Sequence, residues 1–350
     1  MAFLIIIFSI LKTVEEPVDI SVYPANPIVY LAENRWCLNF DFWIKNNLDV
    51  NLELTYLELK IYNKNGQLTQ KRYLSNNGLP GSLSTIETKL ESGDDLYVFN
   101  PFHSLRESTE PSRLIYTFYF GTHQYGVEVF PFIHNPLTHL ELPVQGQIFI
   151  DDGNDYYSHH RRVSLNSQPA RDLGMNSLAQ RFALDFTKIN KQGNRRNNQL
   201  TSNADWYAWA MGVFAPGDGV IISLRNDVPD NRYENGSLVY SETFESSSAD
   251  DTSTGNYLLI DHQNGEYSLL CHFLERSIVP SIGDRVQQGD FIGKIGMSGD
   301  TYYPHLHYQL QNSPDILHSE GLPILFRNYQ DAEKKKMKKG YLNSGDIVHN

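Results

Sequence analysis

Gly255-Asn256-Tyr257-Leu258-Leu259-Ile260-Asp261-His262 and Tyr267-Ser268-Leu269-Leu270-Cys271-His272 flank Asn264-Gly265, the preferred dipeptide of a tight hairpin turn. Two apolar runs of this length around such a turn predict paired antiparallel strands. A two-residue turn sets His262 opposite Tyr267 and Tyr257 opposite His272. His262 and His272 then face opposite ways, so only one of them can join a site, and Cys271 points away from His272 as a small core residue.

Strand signals continue on both sides, at Gln180–Phe186, Gly219–Leu224, Phe291–Ile295 and His307–Leu310, and no segment holds a helical period. Nearer the N-terminus, Leu38, Phe40 and Phe42 alternate with Asn39 and Asp41 as on a half-buried strand. Leu52 and Leu54 alternate, and Leu57, Leu59 and Ile61 resume out of phase, which predicts a bulge near Tyr56. Asn65-Gly66 and Asn77-Gly78 are further turn signals. The expected fold is all-β. An immunoglobulin-like sandwich is expected over residues 18–140, and a second antiparallel domain over residues 145–330. Pro131–Pro143 reads as a linker, Asn226–Gly255 as a long mobile loop and residues 331–350 as a basic, mobile tail. Within residues 1–17, the apolar run Phe3–Leu11 has two readings. It is short for a membrane span and has the length of a signal-peptide core, yet it lacks preceding basic residues and a small-x-small cleavage site. The alternative is a buried first strand.

The 350-residue chain carries 29 Lys plus Arg against 41 Asp plus Glu, a formal charge of −12. That balance argues against non-specific binding to nucleic acid. The two cysteines, Cys37 and Cys271, exclude a disulfide scaffold and a four-cysteine metal site.

The chemistry-bearing text lies in the second half. In Pro304-His305-Leu306-His307-Tyr308-Gln309-Leu310, alternation puts His305, His307 and Gln309 on one strand face. Paired imidazoles serve a metal with a neighbouring acid or base better than they serve a core. In Arg181-Phe182-Ala183-Leu184-Asp185-Phe186, the apolar face is Phe182, Leu184 and Phe186, and Asp185 stands on the other. Asp185 suits a metal ligand or a simple ion pair with Arg181. His103, His123, His134 and His139 are scattered and read as ordinary residues.

Taken in order, these pieces resemble the lysostaphin-type (LytM-like) zinc peptidases of bacterial cell walls. The resemblance runs from about Asn154 to Phe326. It includes Ala215-Pro216-Gly217-Asp218-Gly219-Val220, the Gly283 and Gly289 turns, and Ser298-Gly299-Asp300 ahead of the His pair. It implies zinc, with Asp185 and His307 as ligands and His272 and His305 as the unligated catalytic pair. Its usual first ligand, in His-x-x-x-Asp, falls here on Arg181, which has no lone pair to give. The subgroup with an upstream His-Arg-Arg segment supplies His160 of Ser158-His159-His160-Arg161-Arg162 instead, with His159 as the fallback. Arg181 is then left to face substrate carboxylates or to pair with an acid beside the site. The implied activity is hydrolysis of peptide bonds in peptidoglycan cross-links or stem peptides, in the periplasm or outside the cell. A membrane tether would come only through the N-terminal segment. Two other readings stand beside it: an inactive wall-binding or hydrolase-regulating relative, and a phosphocarrier or sugar-binding module on the same architecture.

Overall fold

A computed structural model describes residues 16–77, 81–241 and 253–350 of the chain. The Phe3–Leu11 run lies outside them. No helix among the described residues is long and apolar enough to cross a membrane. The fold is nearly all-β with antiparallel sheets, and its one α-helix among these residues is the single turn Gln168–Asp172.

The chain divides into two units: residues 1–27, 40–102 and 109–131, and residues 28–39, 103–108 and 132–350. In the first, the strands Leu68–Ser75, Leu52–Tyr62, Arg113–Phe120 and His123–Val129 form one sheet in that order. Phe42 lies 4.6 Å from Tyr116 and 5.2 Å from Phe118, ring to ring, and closes a second layer over it. The register slips between Leu54 and Tyr56, at the expected bulge. The Phe40–Phe42 stretch is buried on both faces rather than one. Asp41 tolerates this because it accepts hydrogen bonds from the Asn100 backbone (3.0 Å) and the Tyr97 hydroxyl (3.3 Å).

The second unit is built on a large sheet. Its central strands are Tyr257–Asp261, Tyr267–Cys271, Leu306–Gln311, Leu184–Thr187 and Gln147–Asp152, each hydrogen-bonded to the next. Alternation along them sends Leu184, Phe186, Leu306, Tyr308, Leu258 and Leu270 into one apolar core. Ile28 and Tyr30 join that core, with the Tyr30 ring 5.7 Å from that of Phe182. The unit therefore recruits a segment from well before the expected boundary near residue 140. Leu140 and Leu142, inside the expected linker, are buried in the same core.

Three sequence expectations change. The hairpin register is one residue off: Asp261 pairs with Tyr267 and Tyr257 with Cys271. His262 N–H donates to the Glu266 carbonyl (3.1 Å), so the loop is wider than Asn264-Gly265 alone. The expected mobile tail forms the strands Lys336–Tyr341 and Ile347–His349. Asp331 accepts the backbone N–H groups of Glu333 and Lys335 at the turn, and the lysine-rich strand closes the sheet as its edge, where charge discourages further pairing. Within the expected loop, Arg232–Glu234 pairs with Ser237–Val239, while residues 242–252 lie outside the described residues.

Phe186 is fully buried against Tyr308 and Phe326. Phe186→Ala is expected to cost about 3–5 kcal/mol of stability, read by urea denaturation.

Candidate metal centre

Sheet register assembles the site. Asp185 and His307 are direct cross-strand partners, and His307 is also the partner of Cys271 on its other side. His272 follows Cys271 and leaves the strand with φ +65°, which brings its ring to 4.8 Å from that of His305. His160 arrives from the loop after the neighbouring strand, whose Asp152 is the register partner of Asp185 across a bulge. Asp152 shapes that loop: it accepts from the Ser158 hydroxyl (2.8 Å), the His160 backbone (3.1 Å) and the His159 backbone (3.3 Å).

The result is a buried cluster around one carboxylate oxygen. Asp185 Oδ1 lies 3.1 Å from His160 Nε2, 3.2 Å from His307 Nδ1 and 3.5 Å from His305 Nε2. The ligand atoms of His160, Asp185 and His307 all fall within 4.8 Å of one another. Of the sequence-predicted residues, His160, Asp185, His272, His305 and His307 are brought together. His159 is not: its side chain is 71% exposed and it turns its Nδ1 to Asp152 (2.8 Å). Asp152, His159 and His160 make a second close group, but Asp152 is already engaged by the loop it anchors.

The outward nitrogens decide what the cluster can do. His272 Nδ1 is 2.8 Å from the Ser298 carbonyl and His305 Nδ1 is 2.9 Å from the Tyr303 carbonyl. A carbonyl only accepts, so both Nδ1 atoms carry the proton and both Nε2 atoms keep their lone pairs. His160 Nδ1 faces Gln180 Oε1 (3.0 Å) and His307 Nε2 faces Gln309 Oε1 (3.0 Å). With a cation between them, protons on those outer atoms would leave the inner atoms as lone pairs beside the carboxylate. That donor set fits a divalent cation such as zinc, which takes imidazole nitrogen and carboxylate oxygen.

Burial alone would raise the Asp185 carboxyl, yet the imidazoles of His305 and His160 outweigh it and hold it well below the usual range. Burial pushes His160 down against the pull of Asp185, and burial with the neighbouring His305 and His307 pushes His272 well down. Arg181 is fully buried and pairs through Nε with Glu320, whose other oxygen accepts the Leu178 N–H (3.1 Å). Of the sequence readings of Arg181, pairing with an acid is the one found, and the acid is Glu320 rather than Asp185. His262 stays apart, between the Asp218 carbonyl and the Ser268 hydroxyl, both at 2.7 Å.

Sequence reasoning missed the partners Gln180, Gln309, Ser298 and Asp152. Alternation puts Gln309 on the His face, and Gln180 adjoins Arg181 in the sequence. Their amides carried no separate signal.

A pH dependence follows for the metal-free protein. His160 and His272 titrate lower when folded than when unfolded, so the unfolded chain takes up protons first. Their contribution is full above pH of about 6.5 and is lost as pH falls towards the depressed values. Asp185, also depressed, adds loss in the same direction below about pH 4. Asp230, pushed up to about 6 by burial, and His159, raised by Asp152, act in the opposite sense, so the test is a difference: between pH 8 and pH 5 the urea midpoint of His272→Gln should fall less than that of wild type.

Residues 210–318 match the model of Peptidase family M23. An uncharacterized metalloprotease of Buchnera aphidicola is 31% identical over 97 residues, covering 27% of this chain and 23% of that protein. The peptidoglycan DD-endopeptidase ShyC of Vibrio cholerae is 44% identical over 55 residues, 16% of this chain and 12% of that protein. The chain thus spans less than a quarter of the length of these curated relatives. Among solved structures, the catalytic domain of lysostaphin from Staphylococcus simulans is 18% identical over 40% of this chain and 73% of its own, with a TM-score of 0.24. The M23 metalloprotease pseudoalterin is 15% identical over 59% of this chain and 99% of its own, with a TM-score of 0.30. The matched segment, residues 210–318, contains His272, His305 and His307, while His160 and Asp185 lie before it.

Proposed function

We propose that the chain is a zinc-dependent endopeptidase that hydrolyses peptide bonds in peptidoglycan cross-links or stem peptides, in the periplasm or outside the cell. The observation that carries this is the convergence of imidazole nitrogens on buried Asp185. The family match over residues 210–318 and the peptidoglycan DD-endopeptidase activity of the Vibrio relative support the substrate class.

His160 Nε2, Asp185 Oδ1 and His307 Nδ1 would hold the metal. Zinc there would polarise the scissile carbonyl and lower the pKa of the attacking water. His272 and His305 stand beside the centre with Nε2 free to act, each held by a proton on Nδ1. Depressed basicity keeps His272 neutral near pH 7, so it can accept the proton of the attacking water. Hydroxyl adds to the carbonyl carbon, the carbon–nitrogen bond breaks, and the proton passes to the departing amine. His305, against the Tyr303 ring at 4.8 Å, is placed to donate to the developing oxyanion when protonated.

Beyond His305 the wall is aromatic and cationic. Trp206 stacks on Tyr303 at 5.7 Å, and the Arg195 and Arg196 guanidinium groups lie over Tyr303 and Trp206 at 5.2 and 5.8 Å. Arg195 is already paired with Asp151, which also accepts from the Tyr303 hydroxyl, so the aromatic faces and Arg196 are what this wall offers a peptide substrate. Arg181, standing where the usual first ligand falls, is the argument for an inactive wall-binding relative. The Arg181–Glu320 pair and the placement of His160 at the carboxylate favour the enzyme instead.

Purified protein should carry one zinc per chain by plasma mass spectrometry and should digest peptidoglycan. His160→Ala should lose the metal. His305→Ala should keep it while kcat falls by about 10²–10⁴. Absence of zinc after reconstitution, or full cleavage by His305→Ala, would contradict the proposal.

A further inference from the structure

Arg195 and Arg196 are neighbours in sequence with different surroundings. The guanidinium of Arg195 is neutralised by Asp151, whose other oxygen accepts from the Tyr303 hydroxyl. Arg196 turns to Trp206 instead. Its Nη1 donates to the Asn197 carbonyl (3.0 Å), its guanidinium lies 5.8 Å over the Trp206 ring, and its backbone pairs antiparallel with that of Trp206. Among the described residues, no carboxylate lies within ion-pair distance of it. The side chain is half-buried. A planar cation held on an aromatic face, partly out of water and without a counter-ion, is suited to bind a carboxylate through two parallel N–H bonds. The surroundings agree with that. Residues 193–198, with Phe149 and Trp206, line a cleft of about 550 Å³ that no acidic side chain enters. From residue 188 to residue 204 the chain carries Lys188, Lys191, Arg195 and Arg196 and no acid, although its overall formal charge is −12. The acid that follows, Asp205, is engaged by its own loop, accepting from the Thr201 N–H and hydroxyl (both 2.8 Å) and the Ser202 N–H (3.0 Å). The cleft adjoins the candidate metal centre. Trp206 stacks on Tyr303 at 5.7 Å, and the Tyr303 ring lies 4.8 Å from that of His305. Extended peptide covers those two steps in roughly three residues.

We infer that Arg196, backed by Trp206, is the specificity residue of a carboxylate subsite, and that the site selects peptides carrying a free carboxylate within roughly three residues of the bond placed at His305. The cleavage part of this inference rests on the endopeptidase reading above; the binding part does not. Two carboxylates of a cross-linked stem peptide have the required chemistry, a chain-terminal one and a side-chain one. Arg196 touches neither the metal ligands nor the reacting atoms. Its contact is therefore the same in the bound substrate and in the transition state, and its loss appears in KM rather than in kcat. At the partly exposed rim of the cleft, the attraction also weakens as salt is added.

The test uses the full chain, zinc-loaded, and three synthetic cross-linked stem-peptide dimers. One has all its carboxylates free, one is amidated only at its chain-terminal carboxyls, and one only at its side-chain carboxyls. Wild type should cleave the free dimer with kcat/KM about 10–100-fold above that of one amidated dimer, through KM, and which dimer suffers identifies the carboxylate bound. Arg196→Gln should lose that preference by raising KM for the free dimer with kcat little changed. Arg196→Lys, which keeps the charge without the fork, should retain part of it. Lys336→Gln removes the same charge from the edge strand and should alter nothing. Near-UV circular dichroism identifies a misfolded variant, and the wild-type comparison of the three dimers decides the matter if Arg196→Gln does not fold. Equal cleavage of all three dimers by wild type, or an undiminished preference in folded Arg196→Gln, would overturn the inference. If no dimer is cleaved, the endopeptidase reading falls, and calorimetric titration of the same dimers into the protein still decides the subsite. Tighter binding of the free dimer, lost in Arg196→Gln, would uphold it, and equal or absent binding would overturn it.

Discussion

One carboxylate oxygen organises this molecule's chemistry. Asp185 is 3% exposed and stands at the centre of His160, His305 and His307. An isolated charge in such a place would be costly to bury, and the group persists there only with polar partners around it. The partners come from the two pieces of backbone that flank the Asp185 strand, so the carboxylate requires the sheet order as much as the sheet order presents the carboxylate. The pairing of Asp185 with His307, and of Asp152 with Asp185, delivers two imidazoles to one point with no freedom of register. A one-residue slip in any of these strands would turn the site residues into the core and core residues into the site.

Around that centre the backbone acts as a second set of ligating constraints. The carbonyls of Ser298 and Tyr303 accept from His272 and His305, while those of Ser313 and Asp315 hold the amide of Gln311, which in turn holds Gln309 beside His307. Loop conformation therefore sets chemistry. Asn231 ties the Gly299 and Thr301 carbonyls together (2.7 and 3.3 Å), and Asn256 binds the Val228 and Phe273 carbonyls (2.8 and 3.0 Å). These buried amides hold the turns from which His272 and His305 project.

Much of this was legible beforehand, for reasons that can be named. The alternation in His305–Leu310 and Phe182–Phe186 gave faces, because the period of a strand is fixed by its geometry. The slip at Tyr56 was visible as a phase change. Arg181 is recognisable as no ligand from its chemistry alone, whereas His160 follows only from the resemblance to the subgroup with an upstream His-Arg-Arg segment. What could not be read depended on distance in sequence. Glu320 lies far along the chain from Arg181, and nothing local marks it as the partner of a buried guanidinium. The hairpin register turned on the width of a loop, with Gln263 and Gly265 both at positive φ, rather than on the Asn-Gly pair itself. The lysines of the final segment hid two strands, because an edge strand and a solvated tail share the same composition.

The central claim is that the cation belongs between His160, Asp185 and His307. Anomalous diffraction collected on either side of the zinc absorption edge, on crystals of the purified protein, tests it without reference to activity. The account predicts a single strong peak within bonding distance of Asp185 Oδ1, His160 Nε2 and His307 Nδ1. A peak instead between Asp152, His159 and His160, or no peak at Asp185 in zinc-loaded crystals, would contradict it.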